Sequence, residues 1–253
     1  MCTLSWIGND LGYELFFNRD EFIDRAPEVA PVETRIGQAW TLAPRDGSAG
    51  GTWLAVNDFG VTIAVLNSYV ASRGTGGRPP RSRGLLVLDH ADAASSKELE
   101  ERLAVLDLSA YEPFLLCTFQ PDPTTAQDPI GSSLAWDGLE LVTRPLLNGQ
   151  APLCSSAVDP EQARVQRTAE WTRLGKLGKM SAERLARFHS SHLDAPDAWS
   201  PCMHRADAET RSMIHVRVDP DKVALAYAPG APCRTKAGRA QILDRQAAPA
   251  PLA

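Results

Sequence analysis

The chain has 253 residues, 43% of them hydrophobic, and a formal net charge of -5. That size and apolar content allow a substantial core in one large domain or two small ones, and the acidic balance excludes a general affinity for nucleic acid. No apolar run reaches the length of a transmembrane segment, and the start lacks the basic stretch and long apolar core of a secretory signal. The five cysteines, Cys2, Cys117, Cys154, Cys202 and Cys233, are odd in number and too widely spaced for a disulfide framework, so reduced thiols in a cytoplasmic protein are expected.

The opening carries the first chemical signal. Cys2 stands directly behind Met1, so loss of Met1 places a thiol and a free α-amine on one residue. The thiol has an ordinary pKa of about 8.5 and the amine one of about 7.7–8.0, and N-terminal nucleophile enzymes join nucleophile and base in this way. Apolar runs Thr3–Ile7 and Leu15–Asn18 flank Asn9-Asp10-Leu11-Gly12, which predicts a hairpin. Its second strand delivers Asn18, Arg19, Asp20 and Glu21 near Cys2. Arg19 is a candidate to hold a thiolate or a substrate carboxylate, and Asp20 a candidate to orient the new α-ammonium.

Further strands are predicted at Ala39–Ala43, Thr52–Asn57 and Gly60–Leu66, with Asn57-Asp58-Phe59-Gly60 as a hairpin connection. The segment Ala71–Arg83 has no apolar period and reads as a loop carrying Arg73, Arg78, Arg81 and Arg83. Leu85–His90 is short and apolar. Ser95 with Glu98 has capping-box spacing ahead of Leu99, Leu103 and Leu106. Phe114–Phe119 is a compact strand, Pro121–Pro129 a loop, and Ser132–Trp136 with Leu139–Leu147 a hairpin around Asp137-Gly138. Asp159-Pro160 opens a helix to about Leu174, and Ser181–Leu193 is a second amphipathic helix. Met213–Val218 and Val223–Ala228 form a last hairpin. The residues after Gly230 are rich in Pro, Ala and Arg, so a single domain over 1–230 is expected, with 231–253 as a loose or disordered tail. Strands, then helices, then strands indicate an α+β architecture.

Several of these blocks recur together. Met-Cys-Thr at the start, Asn18-Arg19-Asp20-Glu21-Phe22, Gly50-Gly51-Thr52-Trp53-Leu54, Asn57-Asp58-Phe59-Gly60, Leu66-Asn67-Ser68-Tyr69, Ser82-Arg83-Gly84 and Glu209-Thr210-Arg211-Ser212 resemble the NRDE family, also called the transport and Golgi organisation family. The resemblance spans roughly residues 2–228. The opening is also similar to the choloylglycine hydrolase and penicillin V acylase group, which has the N-terminal nucleophile hydrolase fold. The resemblance implies a four-layer αββα sandwich, which periodicity alone does not give.

By that resemblance the catalytic set is Cys2, Arg19, Asp20, Asn67 and Arg211. Asn67, at the end of Gly60–Leu66, offers two amide protons to an oxyanion. In the hydrolase group an asparagine follows the strand before the long helix; here Leu153-Cys154-Ser155-Ser156-Ala157 fills that region, so a second donor falls to Ser155 or Ser156. Asn18, Trp53 and Ser156 join the ligand-binding candidates, Trp53 being equally a core residue. Cys202-Met203-His204 with His189 and His192 invites a metal reading, but the spacing is not a zinc pattern and the residues fall on different predicted elements; no metal is expected. Family members have been linked to haem trafficking, which makes Cys202, His204 and His215 candidate haem ligands. Two functions follow: a cysteine amidase acting through a thioester on a small-molecule amide with no required cofactor, or a non-enzymatic carrier of haem or a lipid-like ligand.

Overall fold

The computed structural model describes residues 2–9, 11–69, 80–121 and 129–249. Met1, Arg73, Arg78 and most of the expected Pro121–Pro129 loop lie outside the described residues.

The opening hairpin forms as the pattern requires. Strand β1 (Cys2–Asn9) runs antiparallel to β2 (Gly12–Phe22), with Cys2 opposite Arg19 and Leu4 opposite Phe17. The next strands are β3 (Val29–Ile36), β4 (Ala39–Arg45), β5 (Leu54–Asn57), β6 (Thr62–Asn67), β7 (Phe114–Phe119), β8 (Gly131–Trp136) and β9 (Leu141–Leu146). They make one antiparallel sheet in chain order. Strands β10 (Leu153–Ser155), β11 (Ala208–Val218), β12 (Lys222–Pro229) and β13 (Gln241–Asp244) complete the other sheet, in the order β10-β1-β2-β11-β12-β13.

Helices cover both outer faces. α1 (Arg83–Asp89) and α2 (Ser96–Ala104) pack on the chain-order sheet, and α3 (Pro160–Gly175) and α4 (Ala182–His189) on the other. The expected caps form: Ser95 Oγ accepts from Glu98 N, and Asp159 Oδ1 accepts from Gln162 N.

Side-chain alternation on the strands creates the layers. Leu4, Trp6, Leu15 and Phe17 meet Leu42, Leu54, Val56 and Leu66 between the sheets. Phe16 points the other way, to Trp171, Leu185 and Phe188 of the helices. Ile63 and Val65 likewise face Leu86, Leu99 and Leu103. Each such fully buried side chain stabilises the fold by roughly 1.5–3 kcal/mol. The result is an α+β sandwich of four layers, helices outside and two sheets inside.

Three expectations change. Strand β3 was not anticipated: it is an edge strand, mostly exposed, with a register shift between Val29 and Val32, so it lacks the apolar alternation that marks a half-buried strand. The helix expected over Ser181–Leu193 ends at His189. The tail expected to be loose after Gly230 contains β13, which pairs with β12 and buries Leu243 against the inter-sheet core. One apolar pair, Ile242-Leu243, is enough to seat an edge strand, and its Pro- and Ala-rich surroundings mask it.

Candidate active site

Strand geometry sorts the N-terminal residues by face. Cys2, Leu4 and Trp6 face the space between the sheets. Thr3 and Ser5 face the helices: Thr3 Oγ1 accepts from Arg167 Nη1, and Ser5 Oγ lies 2.8 Å from His189 Nε2. On β2 the same alternation puts Arg19 on the side of Cys2 and Asp20 toward α3. Cys2 therefore begins its strand at the edge of the inter-sheet core, where a pocket of about 300 Å³ opens. Arg19, Trp53, Asn67, Arg81 and Arg83 also line this pocket.

One wall depends on glycine. A Cβ on Gly51 would come within 2.5 Å of the Gly84 backbone, and one on Gly84 within 2.8 Å of Thr52 N. The first turn of α1 thus packs directly on the Gly51-Thr52 backbone, and Thr52 N donates to Gly84 O at 3.0 Å. That contact brings Arg83 and Trp53 to the same pocket.

Arg19 is enclosed by carboxylates. Its guanidinium lies 2.6 Å from Asp46, 3.2 Å from Glu28 and 3.7 Å from Glu21, and it stacks over Trp53 at 4.6 Å from the ring centroid. Burial pushes the Asp46 carboxyl up, but the Arg25 hydrogen bonds and neighbouring positive charge outweigh it and bring its pKa down to about 2. For Cys2, burial dominates and raises the thiol above its ordinary value, against the smaller pull of Arg19 and the Asp20 backbone N–H. At rest Cys2 is a thiol, and a thiol needs a base at hand to become a nucleophile.

Asn67 stands on the pocket wall, its Nδ2 donating to Tyr69 Oη at 3.4 Å. The two serines of the Leu153–Ala157 region part ways. Ser156 Oγ donates to Val158 O at 2.6 Å and turns away. Ser155 is the cross-strand partner of Cys2, so the two side chains share a face at a Cβ spacing of about 5 Å. Its Oγ is buried without a hydrogen-bond partner.

Of the remaining candidates, Asp20 alone also lines the pocket. Asn18 is fully buried on the helix side and donates to His189 O and Pro201 O. Arg211 is half-buried where β11 shifts register against β2, and it donates to Ile23 O at 3.1 Å; neither lines the pocket. Asp20 is held on the helix side, accepting from Thr210 Oγ1 at 2.6 Å and from Arg167 Nη2 at 3.3 Å. His215 pairs with Glu14 at 2.7 Å and stacks on Phe16. His189 is neutral, its pKa lowered to about 3 by burial and nearby Arg167. Cys202 and His204 do not reach the pocket; they gather with His192 and Cys233.

Arg167 is the site-supporting residue that the sequence hid. It is a fully buried arginine on α3 that binds Trp199 O, Cys2 O, Thr3 Oγ1 and Asp20. It holds the Cys2 backbone from behind the sheet. Nothing in the run Arg164, Arg167, Arg173 marks it as different from its surface neighbours.

Comparison with known proteins agrees with this architecture. The family model for Transport and Golgi organisation 2 matches residues 1–167. No curated protein sequence matches. Among solved structures, the Caenorhabditis elegans orthologue of N-acylethanolamine-hydrolyzing acid amidase superposes with a TM-score of 0.58 at 11% identity, covering 85% of this chain and 92% of that one. A mutant conjugated bile acid hydrolase from Clostridium perfringens gives 0.53 at 12% identity, covering 96% and 92%. A second variant of that hydrolase gives 0.52 at 14%, covering 96% of each chain. These are N-terminal nucleophile hydrolase folds, and the sandwich described above is one of them.

Proposed function

The chain belongs to the Transport and Golgi organisation 2 family, and from that membership and its fold we propose that it is an N-terminal cysteine amidase. The proposed reaction is hydrolysis of a non-peptide carbon–nitrogen bond in a small molecule. The observation that carries the reading is a ligand-sized pocket lined by Cys2, Arg19 and Asn67, with Ser155 paired across the strand from Cys2. Two of the similar folds are named as an amidase and as a conjugated bile acid hydrolase.

After Met1 is removed, the α-amine of Cys2 takes the thiol proton as Sγ attacks the amide carbon. The carbonyl oxygen becomes an oxyanion. Asn67 Nδ2 donates to it, and the unpartnered Ser155 hydroxyl donates in place of the missing asparagine. Collapse breaks the carbon–nitrogen bond, and the α-ammonium returns its proton to the leaving amine. Water, deprotonated by the same amine, then attacks the thioester and releases the acid and the thiol. The walls of Trp53 and Val65 together with Arg81 and Arg83 suit an amide with an apolar part and a polar or anionic end.

The test begins with intact mass after brief exposure to a thiol electrophile. The expected species lacks Met1 and carries one adduct on Cys2. An amide screen then follows on the wild type, Asn67→Ala and Ser155→Ala. Each substitution is expected to lower kcat by about 10²–10³-fold, the usual cost of one oxyanion donor. A retained Met1 with an unreactive Cys2 sinks the amidase.

A further inference from the structure

We infer that His192, Cys202, His204 and Cys233 form a binding site for a single Zn²⁺ ion, separate from the Cys2 pocket. The four residues come from two segments. His192, Cys202 and His204 lie on the loop that leaves α4, and Cys233 on the turn that follows β12. One ligand atom from each lies within 4.8 Å of all the others. Cys202 Sγ is 3.6 Å from His204 Nε2, and Cys233 Sγ is 3.4 Å from the same nitrogen.

These separations are the edges of a coordination tetrahedron. Zinc–sulfur bonds of about 2.3 Å and zinc–nitrogen bonds of about 2.05 Å at tetrahedral angles give a sulfur–nitrogen edge of about 3.6 Å. The sulfur–sulfur and nitrogen–nitrogen edges are then about 3.8 Å and 3.3 Å. The widest gap closes by about 1 Å, a small rotamer adjustment.

A second observation points to an ion. His192 Nε2 is buried and has no hydrogen-bond partner, although its ring lies 5.0 Å from that of His204. An imidazole nitrogen left unsatisfied beside two thiols is a ligand atom in want of a metal. With Nε2 of His204 on the ion, its Nδ1 lies 3.4 Å from Arg234 Nη2 and 3.8 Å from the Glu209 carboxylate, which Arg234 pairs at 3.7 Å. Charge also balances: Zn²⁺ replaces the two thiol protons, which leave to water, and two thiolates with two neutral imidazoles make a site of zero net charge.

The donor set decides the metal. Two sulfurs and two nitrogens in a closed tetrahedron suit zinc rather than calcium or magnesium, and leave no open position for catalysis. The site acts as a clamp. It ties the turn before β13 to the loop whose Pro201 carbonyl holds Asn18 and whose Met203 backbone N donates to Thr210 Oγ1, the donor to Asp20.

The experiment is metal analysis of the full-length untagged chain, purified with its thiols reduced. About one zinc per chain is expected, and Co²⁺ replacing it should show a thiolate-to-cobalt charge-transfer band. Cys233→Ser, at a half-buried turn position, should lose most of the zinc and about half of that band. Removal of zinc by a chelator should lower Tm by about 10 °C, as expected for release of an ion held at a thousandfold above its Kd. Less than about a tenth of an equivalent of zinc, even after incubation with equimolar Zn²⁺, overturns the proposal. So does haem bound at these four residues in its place.

Discussion

The β1–β2 pair presents two contrasting faces. Toward the inter-sheet space, Cys2 and Arg19 line an opening, and Ser155, paired across from Cys2, keeps a buried hydroxyl without a hydrogen-bond partner. Toward the helices, Thr3, Ser5, Asn18 and Asp20 are each tied to Arg167, His189, Pro201 or Thr210. The two arginines show the difference. Arg19 has three carboxylates and an aromatic ring around it at a pocket wall, whereas Arg167 has one carboxylate and three neutral oxygens in the dark of the fold. Chemistry needs one surface left incomplete, and an incomplete surface keeps its geometry where the reverse side is tied down, here by bonds from every one of these side chains although Asn18 Oδ1 and His189 Nδ1 keep none.

The largest expected effect tests the open face. Cys2→Ala should abolish amide hydrolysis, by at least about a thousandfold as for other catalytic nucleophiles. Because only a small sulfur group is removed, urea unfolding should shift little. An active Cys2→Ala variant would mean that the open face binds without catalysing.

The closed face should respond in stability. Arg167→Met leaves Asp20 buried without its cation, at a cost of about 3–5 kcal/mol. In a chain of this size that lowers Tm by roughly 6–20 °C. Adding Asp20→Asn should recover a large part of it, since the charge left uncompensated is then gone. A single variant that melts like the wild type would show that Arg167 is not the support of the nucleophile strand.

How these two faces read in the sequence differs as sharply. The open face was legible: Cys2, Arg19, Trp53 and Asn67 sit in short blocks whose hairpin pattern and family resemblance bring them together. Most strands and all the helices were also legible from period and capping. Arg167 was not, because a buried arginine on an amphipathic helix has the same spacing as an exposed one; only the oxygens it meets across 147 residues to Asp20 distinguish it. Three of the four Cys/His residues were named together in the sequence, but not the approach of Cys233. The four residues come from two segments with no short spacing between Cys202 and Cys233, and zinc patterns in sequence depend on such spacings. His189, grouped with them by sequence proximity, is instead locked to Ser5. Strands β3 and β13 were hidden because edge strands bury too little to impose alternation.

A pH titration sharpens the contrast through His189. Its pKa falls to about 3 in the folded chain because burial and Arg167 disfavour its charge, against about 6.5 unfolded. Between those values the unfolded chain binds the extra proton, so stability rises with pH across this window. The His189 contribution is fully present above pH 6.5 and is lost as pH falls toward 3, at up to about 1.4 kcal/mol per pH unit. Urea midpoints measured from pH 7 to pH 5 should therefore decline for the wild type and decline less for His189→Gln. Equal slopes would place the titrating group elsewhere.

The smallest expected effect concerns Arg211, which family resemblance makes catalytic and the fold sets apart. It is the extra residue where β11 slips one position against β2, between Thr210 and Ser212. Such a bulge re-aims one side chain. Here Thr210 and Ser212 stay buried, and Arg211 is turned out to bond Ile23 O. Arg211→Ala therefore removes one hydrogen bond at the surface, with a cost within about 0.5 kcal/mol in stability and about a twofold change in kcat/KM. Thr210 is the residue that the bulge serves, because its hydroxyl holds Asp20 and receives Met203 N. Thr210→Val should then weaken the fold more than Arg211→Ala does, since Val keeps the shape but strands a buried acceptor. The reverse ranking, with Arg211→Ala costing a hundredfold in rate, would move the arginine into the pocket during turnover and make the closed face part of the chemistry.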